Sequence, residues 1–193
     1  MKDNERVFSL GNGADAYRRF LEGDKKGLEE IITEYKDGLI LYLNGYVSNL
    51  DLAEELAEDT FVRLFTKKPK NKGGASFKTW LYTVGRNIAL DHLRKIKRRR
   101  EEPLESHYDL ADEENLEESY LREERKIAVH KAMNNLKEEY REVLWLTYFE
   151  GMSNKETAEI LKKKVHAVEA TLSRARAALK KELEKEGFIY ENE

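Results

Sequence analysis

Cysteine is absent from this chain, and proline occurs only twice. The first absence excludes disulfides and thiolate metal sites, and it suits a reducing, cytoplasmic location. The second removes the commonest interruption of helices. No segment approaches the ~20 apolar residues needed to span a bilayer, so no membrane insertion is expected. Met1-Lys2-Asp3-Asn4-Glu5-Arg6 lacks the apolar core of a signal peptide. The four histidines (His92, His107, His130 and His166) are scattered, without zinc-ligand spacing. There is no Gly-rich phosphate loop and no Ser-His-Asp order, and Asp91-His92 reads as a surface pair. The chain is therefore expected to be no enzyme, with no catalytic residue, metal or cofactor.

What is present suits an all-α protein. Of 193 residues, 38% are charged and 40% apolar, enough for one domain or two small ones. A net charge of −3 argues against a generic nucleic-acid coat, but the charge is segregated along the chain. Arg94 to Arg100 carries six basic residues in seven, whereas Glu101 to Arg125 holds eleven acidic residues and two arginines. The acidic stretch buries too little apolar surface to offset its ordering entropy. Residues 14–100 are expected to form one domain, 101–120 a flexible acidic linker, and 121–187 a second domain.

The second domain carries the sharpest pattern. Ser153-Asn154-Lys155-Glu156 fits a capping box that starts a short helix buried through Ala158, Ile160 and Leu161. Lys162-Lys163-Lys164 interrupts the pattern for about one turn. Val165, Val168, Leu172, Ala175 and Leu179 then form the stripe of a second amphipathic helix. Its outward positions include His166, Glu169, Ser173, Arg174 and Arg176. Two such helices across a tight turn can place the second in a DNA major groove. A plain helical hairpin that binds nothing fits the periodicity equally well.

In the first domain, Ala53, Leu56, Ala57, Thr60, Phe61 and Leu64 mark one face of a helix of about four turns. Its other face is acidic through Glu54, Glu55, Glu58 and Asp59, which by itself describes a solvated surface. Pro69 and Gly73-Gly74 break the pattern, leaving Lys67–Ser76 as a loop rich in Lys and Gly. Phe77, Trp80, Leu81, Val84, Ile88 and Leu93 supply the apolar side of the next helix, and Lys78, Arg86, Asn87, Arg94 and Lys95 its polar positions. A basic loop beside such a helix can attract phosphates, stack bases and bond their edges. Stacking one unpaired base is worth about 1–3 kcal/mol, comparable to the cost of unstacking it from duplex. Phe77 and Trp80 are better read as core aromatics from their spacing.

Taken together, these residues resemble an extracytoplasmic-function sigma factor, a promoter-specificity subunit of bacterial RNA polymerase. Ala53-Glu54-Glu55-Leu56, Glu58-Asp59 and Phe61-Val62-Arg63-Leu64 are similar to the family's Ala-Glu-Asp-Leu…Gln-Glu…Phe helix. Phe77-Lys78-Thr79-Trp80-Leu81-Tyr82, then Arg86-Asn87, Asp91, Leu93-Arg94 and Arg98, resemble its region two. Tyr140-Arg141-Glu142-Val143-Leu144, Glu150-Gly151-Met152-Ser153, Glu156 and Arg174-Ala175-Arg176 resemble region four. Gly23-Asp24 falls where the family often has a Gly-Asp pair. The match runs in order along nearly the whole chain.

The resemblance implies a division of labour. Glu55, Glu58, Asp59 and Arg63 would dock on the clamp helices of the polymerase largest subunit. Lys68, Asn71 and Lys72 of the loop would capture an unstacked base of the −10 element, with Lys78, Arg86, Asn87, Arg94 and Arg98 lining the strand. Asp91 would either share that role or pair locally. Lys164, His166, Ala167, Glu169, Ala170, Ser173, Arg174 and Arg176 would read the −35 element, with the flap region of polymerase as a further partner. An anti-sigma factor is an implied antagonist, and the acidic linker could fold back on basic surfaces.

Several positions depart from the pattern. Ala167-Val168-Glu169-Ala170-Thr171 stands where relatives carry Thr-Val-Lys-Ser-Arg, which removes two positive charges and adds a carboxylate. Glu169 can accept a hydrogen bond from cytosine N4, implying an unusual upstream preference. Lys162-Lys163-Lys164 replaces a Gly-containing turn and offers phosphate contacts instead. Lys137 stands for a common proline and Glu58 for the usual Gln. A rival reading, a conventional helical regulator, would bind duplex DNA alone as a dimer with two-fold half-sites. A third, an interaction protein such as an antagonist, gives no reason for the Lys/Arg clusters beside the aromatics.

Overall fold

The structure, a computed structural model, describes residues 12–68, 75–101, 129 and 131–185. Asn71, Lys72, the linker after Glu101 and the tail from Gly187 lie outside the described residues. Every described element is helical, in line with the all-α expectation.

Local signals set the first bundle. α1 (Asn12–Leu21) turns through Gly23, φ +104°, into α2 (Lys25–Val47), whose N-cap Asp24 accepts from the Lys26 N–H at 2.9 Å. Ser48, left-handed at φ 50°, ends α2, and Asn49 caps α3 (Leu50–Lys67) by accepting from the Leu52 N–H at 2.9 Å. These three- and two-residue connections fold consecutive helices back on one another. α4 (Phe77–Glu101) then packs against α2 and α3. Glu101, expected in the linker, is the last residue of this helix, because nothing in the basic run breaks it.

All six residues read as one face of α3 are buried. They meet Ile31, Leu39 and Leu43 of α2 and Leu81 of α4 in one core. Tyr17 of α1 joins them, its ring 5.5 Å from Phe77 and 5.4 Å from Trp80. Phe77 is buried and Trp80 half-buried, so both are core aromatics. Tyr82 lies outside the expected stripe yet is buried too, 5.2 Å from the Tyr42 ring, because α4 is covered on a second side by the other domain.

In the second domain α5 (Glu138–Leu144) continues into a π turn, Trp145–Phe149, where the Trp145 and Phe149 rings stack at 4.4 Å. Gly151, φ +64°, reverses the chain into α6 (Asn154–Leu161), and α7 (Val165–Lys185) follows. Val143, Leu146, Ile160, Val168 and Ala175 have no exposed surface and hold α5, α6 and α7 together. α6 also packs on α4, and α5 on α2, so the apolar core is continuous between the two domains.

Candidate nucleic-acid and polymerase interfaces

The capping box at Ser153 is formed in full. The Glu156 N–H donates to Ser153 Oγ at 3.2 Å, and the Ser153 N–H donates to Glu156 Oε2 at 3.0 Å. Lys162 ends α6 in the left-handed region at φ 55°, within the three-lysine turn that stands for a Gly-containing one in the resemblance above. Val168, Leu172 and Ala175 then fix the rotation of α7 by facing inward. As a result Lys164, His166, Glu169, Ala170, Ser173, Arg174 and Arg176 are exposed, and Ala167 is half-covered. The three lysines of the turn are not equivalent. Lys163 pairs with Glu139 at 2.8 Å, a carboxylate that also accepts from Thr171 at 3.2 Å, and Lys162 reaches Asn87 at 3.4 Å. Lys164 is exposed at the end of the turn.

Burial opposes ionisation of Glu156, but hydrogen bonds from Ser153, Ser76 and Thr79 outweigh it and hold its carboxyl below the ordinary value of 4.5. Lys163, together with Thr171, does the same for Glu139 against its slight desolvation. A group depressed in the folded state stabilises fully above its unfolded value and loses that contribution as pH falls through the folded one. Stability should therefore fall as the pH drops below the ordinary carboxyl value of 4.5. Glu156→Gln should flatten that slope in urea titrations at several pH values, and an unchanged slope would contradict the assignment.

On α3 the side chains of Glu55, Glu58, Asp59 and Arg63 are all exposed, with Val62 beside them 56% exposed. Glu54 is separately engaged by Lys36 of α2 at 2.7 Å. The outer face of this helix is thus an exposed acidic surface around Val62.

The candidate strand-binding residues of α4 are placed differently. Lys68, exposed at the left-handed cap of α3, lies 5.1 Å from the Phe20 ring centre. Arg98 is exposed, and Arg94 pairs with Asp91 at 2.7 Å, so Asp91 makes a local ion pair. The other three face the second domain. Lys78 reaches Glu150 Oε2 at 2.9 Å and its carbonyl at 2.8 Å. Arg86 Nε donates to Glu142 Oε1 and to the Tyr46 hydroxyl, each at 3.1 Å. Asn87 accepts from Lys162. Burial, with Tyr42 and Glu142 beside it, pushes the Tyr46 hydroxyl far above its ordinary range, and it donates to Glu142 as a neutral group.

Sequence reasoning missed Ser76, Thr79 and Glu142 as members of this seam. Ser76 Oγ and Thr79 Oγ1 donate to Glu156 Oε1 at 3.1 and 3.2 Å. Glu142 is 8% exposed beside Val143 and Leu144, and no periodicity marks a carboxylate for burial against another domain. Among the described residues no group of three His, Asp or Glu side chains could hold a metal, and no helix is long and apolar enough to cross a membrane.

Comparison with known proteins identifies this arrangement. Residues 31–100 match the Sigma-70 region 2 model and residues 126–179 the Sigma-70, region 4 model, together more than half of the chain. The chain belongs to the sigma-70 family. It is an extracytoplasmic-function sigma factor, which directs RNA polymerase to promoters. It is similar to the RNA polymerase sigma-H factor of Pseudomonas aeruginosa, 28% identical over 177 residues, covering 86% of this chain and 91% of that one. It is likewise similar to the sigma factor YlaC of Bacillus subtilis, 29% identical over 163 residues, with 83% and 94% covered. The fold of this sigma factor resembles that of CnrH solved with the cytosolic domain of CnrY, at TM-score 0.64 and 21% identity over 91% of this chain and 99% of that one. The sigma factor RpoE of Bartonella quintana, solved with the anti-sigma factor NepR, gives TM-score 0.64 at 24% identity, with 83% and 98% covered.

Proposed function

We propose that this sigma factor divides its work by domain, with residues 14–100 docking on core polymerase and engaging the −10 strand, and 121–187 reading the −35 duplex. Glu55, Glu58, Asp59 and Arg63 bind the clamp helices of the largest subunit. Lys68, Asn71, Lys72, Lys78, Arg86, Asn87, Arg94 and Arg98 hold the opened strand, and the flap region of polymerase receives the second domain. Residues 101–120 connect the two. An anti-sigma factor is the antagonist we expect, in the cytoplasm. The observation that carries this reading is the segregation of side chains: an acidic exposed face on α3, a cationic and amide row on α4, and an exposed polar end on α7 fixed by a buried stripe.

The exposed Glu169 makes the upstream reading testable. A carboxylate there is repelled by phosphates but accepts from cytosine N4, and such a contact discriminates by about 1–3 kcal/mol. Holoenzymes assembled with the wild-type chain and with Glu169→Lys should select different upstream elements from a randomised pool. The wild type should prefer cytosine at one position and the variant guanine. An unchanged preference would overturn the role of Glu169 and with it the assignment of α7 as the reading helix.

A further inference from the structure

Thr171 is bonded differently from other helical threonines of this chain. The hydroxyls of Thr60, Thr66 and Thr83 donate to the carbonyl four residues earlier, at 2.6–2.7 Å, a common arrangement for threonine inside a helix. Thr171, buried on α7, donates across to Glu139 Oε1 of α5 at 3.2 Å. The same oxygen accepts from Lys163 Nζ at 2.8 Å. Lys163 lies in the turn before α7, and its N–H is already held by the Ala158 carbonyl of α6 at 2.9 Å. One carboxylate of α5 therefore ties the turn to the reading helix, while the backbone of that turn is fixed to α6.

The carboxyl stays ionised there, because Lys163 foremost, then Thr171 and the charge of Arg174 on α7, outweigh its slight desolvation. Its two partners differ in what they lose without it. Thr171 would keep a buried hydroxyl that must find another acceptor, and the polar tie between α7 and α5 would be gone. Lys163 would keep an ammonium free to turn to any anion beside the turn. When a helix lies in the major groove, its first residues meet base edges while the element before it crosses the phosphate backbone. A free lysine in the turn would add grip there that is independent of sequence.

Resting on the reading role given above to α7, we infer that Glu139 is a positioning residue for the −35 element: it sets α7 through Thr171 and withholds Lys163 from the phosphates. Base contacts need the side chains of α7 in register, whereas a phosphate contact strengthens any duplex alike. Glu139 serves the first and suppresses the second. Its side chain is 51% exposed, and so open an ion pair adds little stability. Substitution there leaves the fold intact and alters the balance between specific and non-specific binding.

The test compares holoenzymes on two promoters, one carrying the upstream element that the wild type selects and one with that element scrambled. In Glu139→Ala the ratio of the two affinities should fall at least about fivefold. Affinity for the scrambled promoter should depend more steeply on salt, the slope of log affinity against log salt growing by about 0.9, the value of one phosphate contact on duplex. Three further variants separate the two effects. Glu139→Gln keeps an acceptor for Thr171 but loses the charge, so it should steepen the slope alone. Thr171→Val should lower the ratio alone, and Thr171→Ser, which keeps the hydroxyl, should match the wild type in both. In Glu139→Ala/Lys163→Gln the slope should return to the wild-type value while the ratio stays low. Affinity lost equally for both promoters with an unchanged slope would mark a merely structural role and overturn the inference, as would no change in either quantity. If Glu169→Lys leaves the selected element unchanged, the reading role of α7 fails and takes this inference with it. If Glu169→Lys shifts the element while Glu139→Ala alters neither ratio nor slope, only the role of Glu139 is wrong.

Discussion

Gly27→Ala destabilises the first domain by about 2–3 kcal/mol, although alanine is the better helix former by about 1 kcal/mol. The reason is the approach of α1 to α2. A Cβ at Gly27 would stand 2.2 Å from the Ala16 carbonyl oxygen and 3.0 Å from the Phe20 nitrogen. Both obstacles are backbone, so no side chain can swing aside, and α1 must move away from the core that Tyr17 anchors. Gly45, in the same helix, is the control. Its nearest neighbour would be 3.9 Å from an added Cβ, ordinary contact, so Gly45→Ala should gain up to about 1 kcal/mol. Urea unfolding followed by helicity checks both. Equal stabilisation by the two substitutions would contradict the close packing of α1 on α2.

Lys78→Ala/Arg86→Ala lowers open-complex formation by about 10–100-fold while leaving affinity for core polymerase intact. In the strand-binding role proposed above each side chain neutralises a phosphate, and each such contact adds about 0.7 to the salt dependence on a single strand. The double variant should therefore flatten the slope of log affinity against log salt by about one to two. Glu58→Lys/Asp59→Lys should do the reverse, weakening core binding with no change in the salt slope for the strand. A double variant that lost core binding as well would show that α4 and α3 do not have separate duties.

These contrasts mark how much of the molecule was legible in its sequence. The core face of α3 was readable because Ala53 to Leu64 repeats at helical spacing against acidic neighbours. Ser153 and Glu156 announced the start of α6, since a capping box is a local device whose two partners lie three residues apart. The exposed end of α7 followed from its buried stripe. What sequence could not reveal was contact between elements distant along the chain. Arg86 reads as an exposed cation until Glu142, 56 residues on, is packed against it. Tyr82 reads as lying off the buried stripe until Tyr42 and the second domain cover it. Lys163 reads as a phosphate ligand until Glu139 claims it. Periodicity reports which side of a helix is buried against its own domain, and it is silent about a second, partly polar side covered by another.

The most direct measurement is run-off transcription with bacterial core polymerase, this purified chain and fragmented DNA of its source genome. Discrete start sites that appear only when chain and core are combined, with shared sequence upstream at both −10 and −35, are the predicted result. No transcripts, together with tight binding of the chain alone to duplex DNA, would contradict the account and favour a conventional regulator.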